Sequence, residues 1–85
     1  MRDLPDDDSW IPERLERMGR QLQAERMRQN LTQESVFLAA GINRATLQNI
    51  EAGRGNPTIT TLLRIAHILG VPLARLVDDN GPTGP

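Results

Sequence analysis

Apolar residues recur every three or four positions along most of the chain, which is the spacing of amphipathic α-helices. The pattern predicts a first helix from about Pro12 toward Gln29. Its apolar stripe comprises Ile11, Leu15, Met18 and Leu22. Gly19 lies beside this stripe, and a glycine inside a helix costs about 1 kcal/mol relative to alanine. We therefore expect another helix to approach closely at Gly19.

Two short helices follow, and their spacing is that of a helix-turn-helix between Leu31 and Gly53. Thr32 and Asn43 are placed to cap the two helices, and Gly41 supplies the permissive backbone of the turn. The residues expected to pack the two helices together are Val36, Ala40, Leu47 and Ile50. The second helix is expected to present polar side chains outward, which is typical of DNA recognition.

A fourth helix is predicted from Thr58, as its N-cap, to Gly70, and Pro72 opens a short fifth helix. The predicted inner face of the fourth helix is Ile59, Leu62, Leu63, Ala66 and Leu69, with Ile68 on the opposite side. The fifth helix contains Leu73, Leu76 and Val77. No alternating pattern is long enough for a strand, so the predicted fold class is all-α.

Two charged residues fall beside apolar stripes. Arg26 follows Leu22 by four residues, and Glu51 lies at the flank of the apolar side of the third helix. Since buried charges are rare unless they are paired, we predict an internal ion pair between Arg26 and Glu51. The alternative is that both are solvated surface charges.

Charge divides the 85-residue chain into three parts. Residues 1–9 are acidic and contain proline, which predicts a disordered tail, and residues 79–85 are predicted to form a second one. Residues 10–78 are the predicted domain. Residues 10–77 hold nine arginines and five glutamates, so this part is positive although the whole chain has a net charge of −1. A nucleic-acid partner is therefore compatible with the composition.

Composition argues against several classes of protein. The chain has no cysteine and one histidine, so no metal cluster and no cofactor are expected. A signal peptide and a membrane span are not recognisable, which predicts a cytoplasmic location. An enzyme is not expected, because the acidic run Asp6, Asp7 and Asp8 is read as solvated charge and His67 as a surface residue.

These residues resemble the Cro/C1-type (XRE) helix-turn-helix family of phage repressors, restriction–modification controller proteins and bacterial regulators. The resemblance covers about residues 15–77. It rests on Gly19, Leu22, Arg26, Leu31-Thr32-Gln33-Glu34, Gly41, Ile50-Glu51, Gly53, Asn56-Pro57, Leu62-Leu63, Ile65-Ala66 and Leu69-Gly70-Val71. It implies a compact five-helix lambda-repressor-like domain, in which the Arg26–Glu51 pair is also a family feature.

The resemblance implies a role for each residue that faces DNA. The helix from Asn43 to Ala52 would enter the major groove. The base-reading residues would be Arg44, Ala45, Gln48 and Asn49. The phosphate-binding residues would be Gln33, Thr46, Arg54 and Asn56. Arg44 is the foremost base reader, because an arginine can donate two hydrogen bonds to guanine.

The chain departs from the family at Phe37, where alanine is usual, and at Ala40, where a larger aliphatic residue is usual. We predict that the phenyl ring fills the volume that Ala40 leaves. Leu38 stands where the family is usually polar. Leu38 and Ile68 are each either an isolated exposed apolar residue or part of a partner surface.

The favoured function is a sequence-specific transcriptional regulator that binds double-stranded DNA as a homodimer on a near-palindromic operator, with half-sites ~34 Å apart. The predicted dimer surface is Ile68, Leu73, Leu76 and Val77, and the second choice is Trp10 with Ile11. The alternative is a protein-interaction module, such as an antitoxin or anti-repressor, whose partner is another protein. Its support is the acidic segment at residues 3–8 together with Phe37 and Leu38.

Overall fold

A computed structural model of the chain describes residues 8–78, and within this range the protein consists of five α-helices and no strands. The helices are α1 (Trp10–Arg28), α2 (Gln33–Ala40), α3 (Arg44–Glu51), α4 (Ile59–Leu69) and α5 (Leu73–Val77). The predicted all-α fold with five helices is confirmed. The tails predicted at residues 1–9 and 79–85 lie, apart from residues 8 and 9, outside the described residues. Within residues 8–78, no helix combines the length and the apolar character needed to cross a bilayer.

Helix α1 begins at Trp10, two residues before the predicted start. Pro12 falls in its first turn, where a backbone N–H has no partner inside the helix and its loss costs little. The helix ends before Asn30, whose φ of 58° is the left-handed conformation that asparagine tolerates better than most residues. The N–H of Leu31 then donates to the carbonyl oxygen of Arg26 at 3.1 Å, which closes the helix end.

The predicted caps of the motif helices are confirmed. The hydroxyl of Thr32 accepts a hydrogen bond from the N–H of Ser35 at 3.0 Å, and the side-chain oxygen of Asn43 accepts one from the N–H of Thr46 at 2.8 Å. Gly41 ends α2 with φ of 73°. The turn between α2 and α3 is therefore fixed by local hydrogen bonds and one glycine.

The inner face of α4 differs from the prediction. Ile59 and Leu63 are 60% and 51% exposed, whereas the buried residues of this helix are Leu62, Ile65, Ala66 and Leu69. Ile68, expected on the opposite side, is partly buried against the core. Two stripes at helical spacing were available in this aliphatic helix. The two stripes share Leu62, Ala66 and Leu69, and the buried one, which includes Ile65, faces α2 and α5.

The predicted close approach at Gly19 is confirmed. An ideal Cβ atom at this position would lie 2.6 Å from the carbonyl oxygen of Glu51, and nearer still to that of Ile50. Gly53 makes a second close contact, since a Cβ atom there would lie 2.7 Å from the Cα of Glu16. These two glycines allow the C-terminal end of α3 to press against the backbone of α1.

A buried hydrogen-bond network joins α1, α2 and α3. Arg26 donates from Nε to Oε2 of Glu51 at 2.7 Å and from Nη2 to Oε1 at 3.0 Å, so the pair is bidentate. A further N–H of Arg26 donates to the carbonyl oxygen of Leu31 at 2.8 Å, and the amide of Gln33 donates to Oε1 of Glu51 at 3.1 Å. The side chains of Arg26 and Glu51 are 10% and 3% exposed. The predicted internal ion pair is confirmed.

A second polar cluster lies around Glu25, where α1 meets α4 and α5. The carboxylate accepts hydrogen bonds from Arg28 and from the amide of Gln29, which also donates to the carbonyl oxygen of Leu69 at 2.7 Å. Arg75 approaches the same carboxylate to 3.9 Å. The hydrogen bonds from Arg28 and then from Gln29 hold the pKa of Glu25 below its ordinary value, although burial acts in the opposite direction.

We predict that Glu51→Ala costs about 3–5 kcal/mol of unfolding free energy, because it leaves the guanidinium of Arg26 buried without its partner. Urea denaturation followed by circular dichroism measures this cost. Glu34→Ala is the matched control, since its carboxylate belongs to an exposed ion pair, and it should cost less than ~1 kcal/mol. A loss below ~1 kcal/mol for Glu51→Ala would contradict the buried role of the pair.

We predict that Glu25→Gln destabilises the domain by about 1 kcal/mol at pH 7 and by much less at pH 3. A carboxylate with a lowered folded-state pKa stabilises the protein above its ordinary pKa of 4.5, and this contribution is lost as the pH falls through the lowered value. Urea denaturation of both proteins at the two pH values isolates the contribution of Glu25. An equal difference at both pH values would show that the carboxylate charge is not stabilising.

Candidate nucleic-acid interface

The outer face of α3 is exposed along its whole length. Arg44, Ala45, Gln48 and Asn49 all lie on this face, while Leu47, Ile50 and Glu51 are buried beneath it. Among residues 8–78, the side chains of Gln48 and Asn49 have no hydrogen-bond partner, so their amides are available to a ligand. The four residues predicted to read bases thus share one solvent-facing side of a helix that is anchored on its other side.

Arg44, the first residue of α3, contacts two residues of α2. Its side chain is 60% exposed, and its Nη2 lies 3.9 Å from Oε2 of Glu34 in α2. The guanidinium carbon lies 5.2 Å from the centre of the Phe37 ring, which is within the range of a cation–π contact. Neither contact was predicted from the sequence. The available signal was the three-residue spacing of Glu34 and Phe37, which places them on one side of α2.

Three of the four predicted phosphate-binding residues line one cleft. Thr46 and Asn49 of α3 face Arg54 and Asn56 of the following loop across this cleft, whose floor includes Ile50. Within the described part of the chain, no carboxylate lies within salt-bridge distance of Arg54. The cleft therefore combines one unneutralised positive charge with hydroxyl and amide groups, which is the chemistry that suits a phosphate oxygen.

Gln33, the fourth predicted phosphate-binding residue, lies apart from this cleft. Its amide donates to Glu51, as described above, and the residue is half-buried. An amide nitrogen carries two N–H groups, so one remains for another acceptor. The backbone N–H groups at the start of α2 also precede the first hydrogen bond within the helix, which makes this end of α2 favourable for an anion.

The two positions at which the chain departs from the pattern of the family that it resembles lie in the core. Phe37 and Ala40 are both buried, at 7% and 5% exposure. That the phenyl ring fills the volume left by Ala40 stays a prediction. Leu38 points away from the core and is 67% exposed. Phe37 is therefore not an exposed apolar residue, whereas Leu38 is a large one on α2.

The predicted dimer surface is only partly accessible. Leu76 is 0% exposed and belongs to the core, so it has no surface to offer a second chain, and this residue of the prediction is wrong. Ile68 and Leu73 are partly buried against the core. Val77 is exposed and lines an apolar groove together with Trp10 and Ile11. Val77 of the first predicted surface thus lies beside Trp10 and Ile11 of the second.

Asp8 and His67 are the residues considered for enzymatic chemistry that the structure describes. His67 is exposed on α4, and among residues 8–78 no group of three histidine, cysteine or acidic side chains could hold a metal ion. Asp6 and Asp7 lie outside the described residues.

Comparison with known proteins agrees with this geometry. The family model described as helix-turn-helix matches residues 22–76. An uncharacterised HTH-type transcriptional regulator y4dJ of Sinorhizobium fredii is 40% identical over 58 residues, which are 68% of this chain and 75% of the relative. The immunity repressor protein of Bacillus phage phi105 is 32% identical over 62 residues, 73% of this chain and 43% of the relative. The transcriptional repressor RstR of a cryptic CTXphi phage in Vibrio cholerae is 34% identical over 55 residues, 65% of this chain and 50% of the relative.

The chain thus spans half or less of the two phage repressors that it matches. Two solved structures share its fold. The restriction–modification controller protein C.AhdI of Aeromonas hydrophila superposes with a TM-score of 0.71 at 26% identity, over 73% of this chain and 94% of that one. A hypothetical transcription factor, NHTF, from Neisseria superposes with a TM-score of 0.72 at 21% identity, over 91% of this chain and 84% of that one.

The matched range contains the whole helix-turn-helix, the Arg26–Glu51 pair and the cleft at Arg54. The matched family and relatives agree with the resemblance that the sequence motifs carried. The chain belongs to the helix-turn-helix family of DNA-binding transcriptional regulators, in its XRE-type branch.

Proposed function

We propose that this protein is a cytoplasmic, sequence-specific transcriptional regulator that binds a near-palindromic operator as a homodimer. The observation that carries the proposal is the exposed face of α3, which begins with Arg44 and continues into the cleft at Arg54. A helix with exposed polar side chains on one side and a loop that can bind phosphate at its end is suited to the major groove.

Base reading is assigned to the outer face of α3. Arg44 presents N–H groups that match O6 and N7 of guanine, and Gln48 or Asn49 can form two hydrogen bonds with adenine. Ala45 is small and apolar, which suits contact with a thymine methyl group. These residues provide donors, acceptors and one apolar contact in a single row.

Phosphate binding is assigned to the two ends of the motif. Arg54, Asn56 and Thr46 lie together in one cleft, and Gln33 lies at the N-terminus of α2. Glu51, the acidic residue of α3, is buried and paired with Arg26, so its charge is neutralised before DNA approaches. The net charge of −1 therefore does not represent the surface that would contact phosphate.

Dimerisation is assigned to the groove that Val77, Trp10 and Ile11 line. All three are exposed apolar residues, and Arg14 lies 5.9 Å from the centre of the Trp10 ring at the same edge. A second copy of the chain would cover this apolar surface and set the separation of two α3 helices at the ~34 Å of one DNA turn.

A protein-interaction module remains the second candidate, and the exposure of Leu38 favours it. Phe37 no longer supports it, because this ring is buried. An apolar side chain on α2 that stands alone is ordinary for a soluble protein, so the exposed face of α3 carries more weight.

We predict that Arg44→Ala and Arg54→Ala weaken DNA binding in different ways. Enrichment of bound sequences from a random DNA pool identifies the operator, and titrations at several salt concentrations then measure affinity. Arg44→Ala should lower the preference for one guanine by about 1–3 kcal/mol, since it removes a base contact. Arg54→Ala should weaken binding to all sequences alike. It should also lower the slope of the logarithm of the binding constant against the logarithm of the salt concentration by about 1 in magnitude. Failure of the wild-type chain to enrich any sequence, or binding insensitive to salt, would contradict the proposed function.

We predict that Val77→Asp shifts the protein from dimer to monomer, because it places a charge in the proposed apolar contact. Sedimentation equilibrium measures the shift, and the affinity for a complete operator should fall more than the affinity for a half-site. Ile59→Asp is the matched control, since Ile59 is also apolar and exposed but does not line the groove. Dissociation of the Ile59→Asp protein, with the Val77→Asp protein still dimeric, would place the dimer surface on α4 instead.

A further inference from the structure

Arg44 contacts two residues of α2, although it belongs to α3. Its guanidinium carbon lies 5.2 Å from the centre of the Phe37 ring, and its Nη2 lies 3.9 Å from the carboxylate of Glu34. The side chain nevertheless remains 60% exposed. Arg44 is therefore held on one side while it stays open to solvent on the other.

Phe37 is a rigid support for this contact. The ring is only 7% exposed and packs within the core, so its position is fixed by its neighbours. Its backbone is fixed as well, because its carbonyl oxygen accepts a hydrogen bond from the N–H of Ile42 at 3.0 Å in the turn before α3. This hydrogen bond thus ties Phe37 to the turn that sets the start of the recognition helix.

The contact leaves the donors of Arg44 available. A cation–π contact places the cation over the face of the aromatic ring, and it uses none of the hydrogen bonds that the guanidinium nitrogens can donate. Glu34 approaches one of these nitrogens, and at 3.9 Å this is an ion pair without a hydrogen bond. An edge of the guanidinium therefore remains free for the two acceptors of a guanine.

We propose that Phe37 and Glu34 are positioning residues, which hold the Arg44 side chain in the orientation that reads a base. This inference rests on the proposed function, since it assigns a role to Arg44 in DNA. A free arginine loses considerable rotamer freedom when it is ordered, and an arginine already held by its neighbours loses less on binding. The advantage applies to the base contact alone, because phosphate binding tolerates many arginine orientations.

The proposal predicts a selective effect of Phe37→Leu. Removal of the ring abolishes the cation–π contact but keeps an apolar side chain in the core. We expect the preference for the guanine read by Arg44 to fall by about threefold, which corresponds to an exposed cation–π contact. The affinity for DNA in which that guanine is replaced should change little.

A double-mutant cycle distinguishes positioning from a general structural effect. The preference for the guanine is measured for the wild type, Phe37→Leu, Arg44→Ala and the double variant. Positioning predicts that Phe37→Leu lowers the preference when Arg44 is present and has no effect on it in the Arg44→Ala protein. An equal loss of affinity for both DNAs, or the same effect in both backgrounds, would overturn the proposal. Leu38→Ala, on the adjacent exposed residue of α2, is the control and should leave the preference unchanged.

Glu34→Gln provides a second variant that does not threaten the core. It should lower the guanine preference by less than twofold, because the pair is exposed and weak. A rise in the preference would overturn the role of Glu34, since it would show that the carboxylate competes with the guanine for Arg44.

An NMR measurement on the DNA-free protein separates this proposal from the proposed function. In the wild type, the ring current of Phe37 should displace the chemical shifts of the Arg44 side-chain protons. In Phe37→Leu, these chemical shifts should return toward the values of a mobile arginine. Undisplaced signals in the wild type would overturn the positioning proposal even if the protein binds its operator. If the chemical shifts of Arg44 are displaced but the protein selects no DNA sequence, the proposed function is overturned, and with it the proposed role of Arg44 in reading a base.

Discussion

The ion pair between Arg26 and Glu51 is the interaction on which the arrangement of the recognition helix depends. It joins the C-terminal half of α1 to the last residue of α3. A further N–H of Arg26 donates to the carbonyl oxygen of Leu31, and the amide of Gln33 donates to Glu51, so the pair is also connected to the start of α2. Because both charges are almost fully buried, neither can leave the other without a large desolvation cost. The angle of α3 is thus set by a charged contact of defined geometry as well as by apolar packing, which tolerates rotation more readily.

Features that depend on local chemistry were predictable from the sequence. The caps at Thr32 and Asn43 and the left-handed turn at Gly41 follow from the preferences of single residues. The Arg26–Glu51 pair followed from periodicity, because each charge fell beside an apolar stripe and needed a partner. The buried face of α4 was not predictable in this way, since both Leu63 and Ile65 lie on a plausible stripe and only the positions of α2 and α5 decide between them.

The candidate site was predictable to a similar extent. Exposure of the α3 face followed from helical periodicity, and the cleft near Arg54 agrees with roles carried by the family resemblance. The burial of Leu76 was missed, because a short helix of five residues gives little periodicity to assess. The contact between Phe37 and Arg44 was missed for another reason: it joins two helices, and its existence depends on their crossing angle, which a single sequence does not specify.

The close contact at Gly19 and Gly53 has a consequence for the DNA rather than for the protein. Backbone rests directly on backbone where α3 meets α1, so no flexible side chain lies between them to absorb a small tilt of the recognition helix. On the proposed function, a binding site with a slightly wrong groove width or twist must itself deform to fit. Base pairs that the protein never touches would then influence affinity through the stiffness of the duplex.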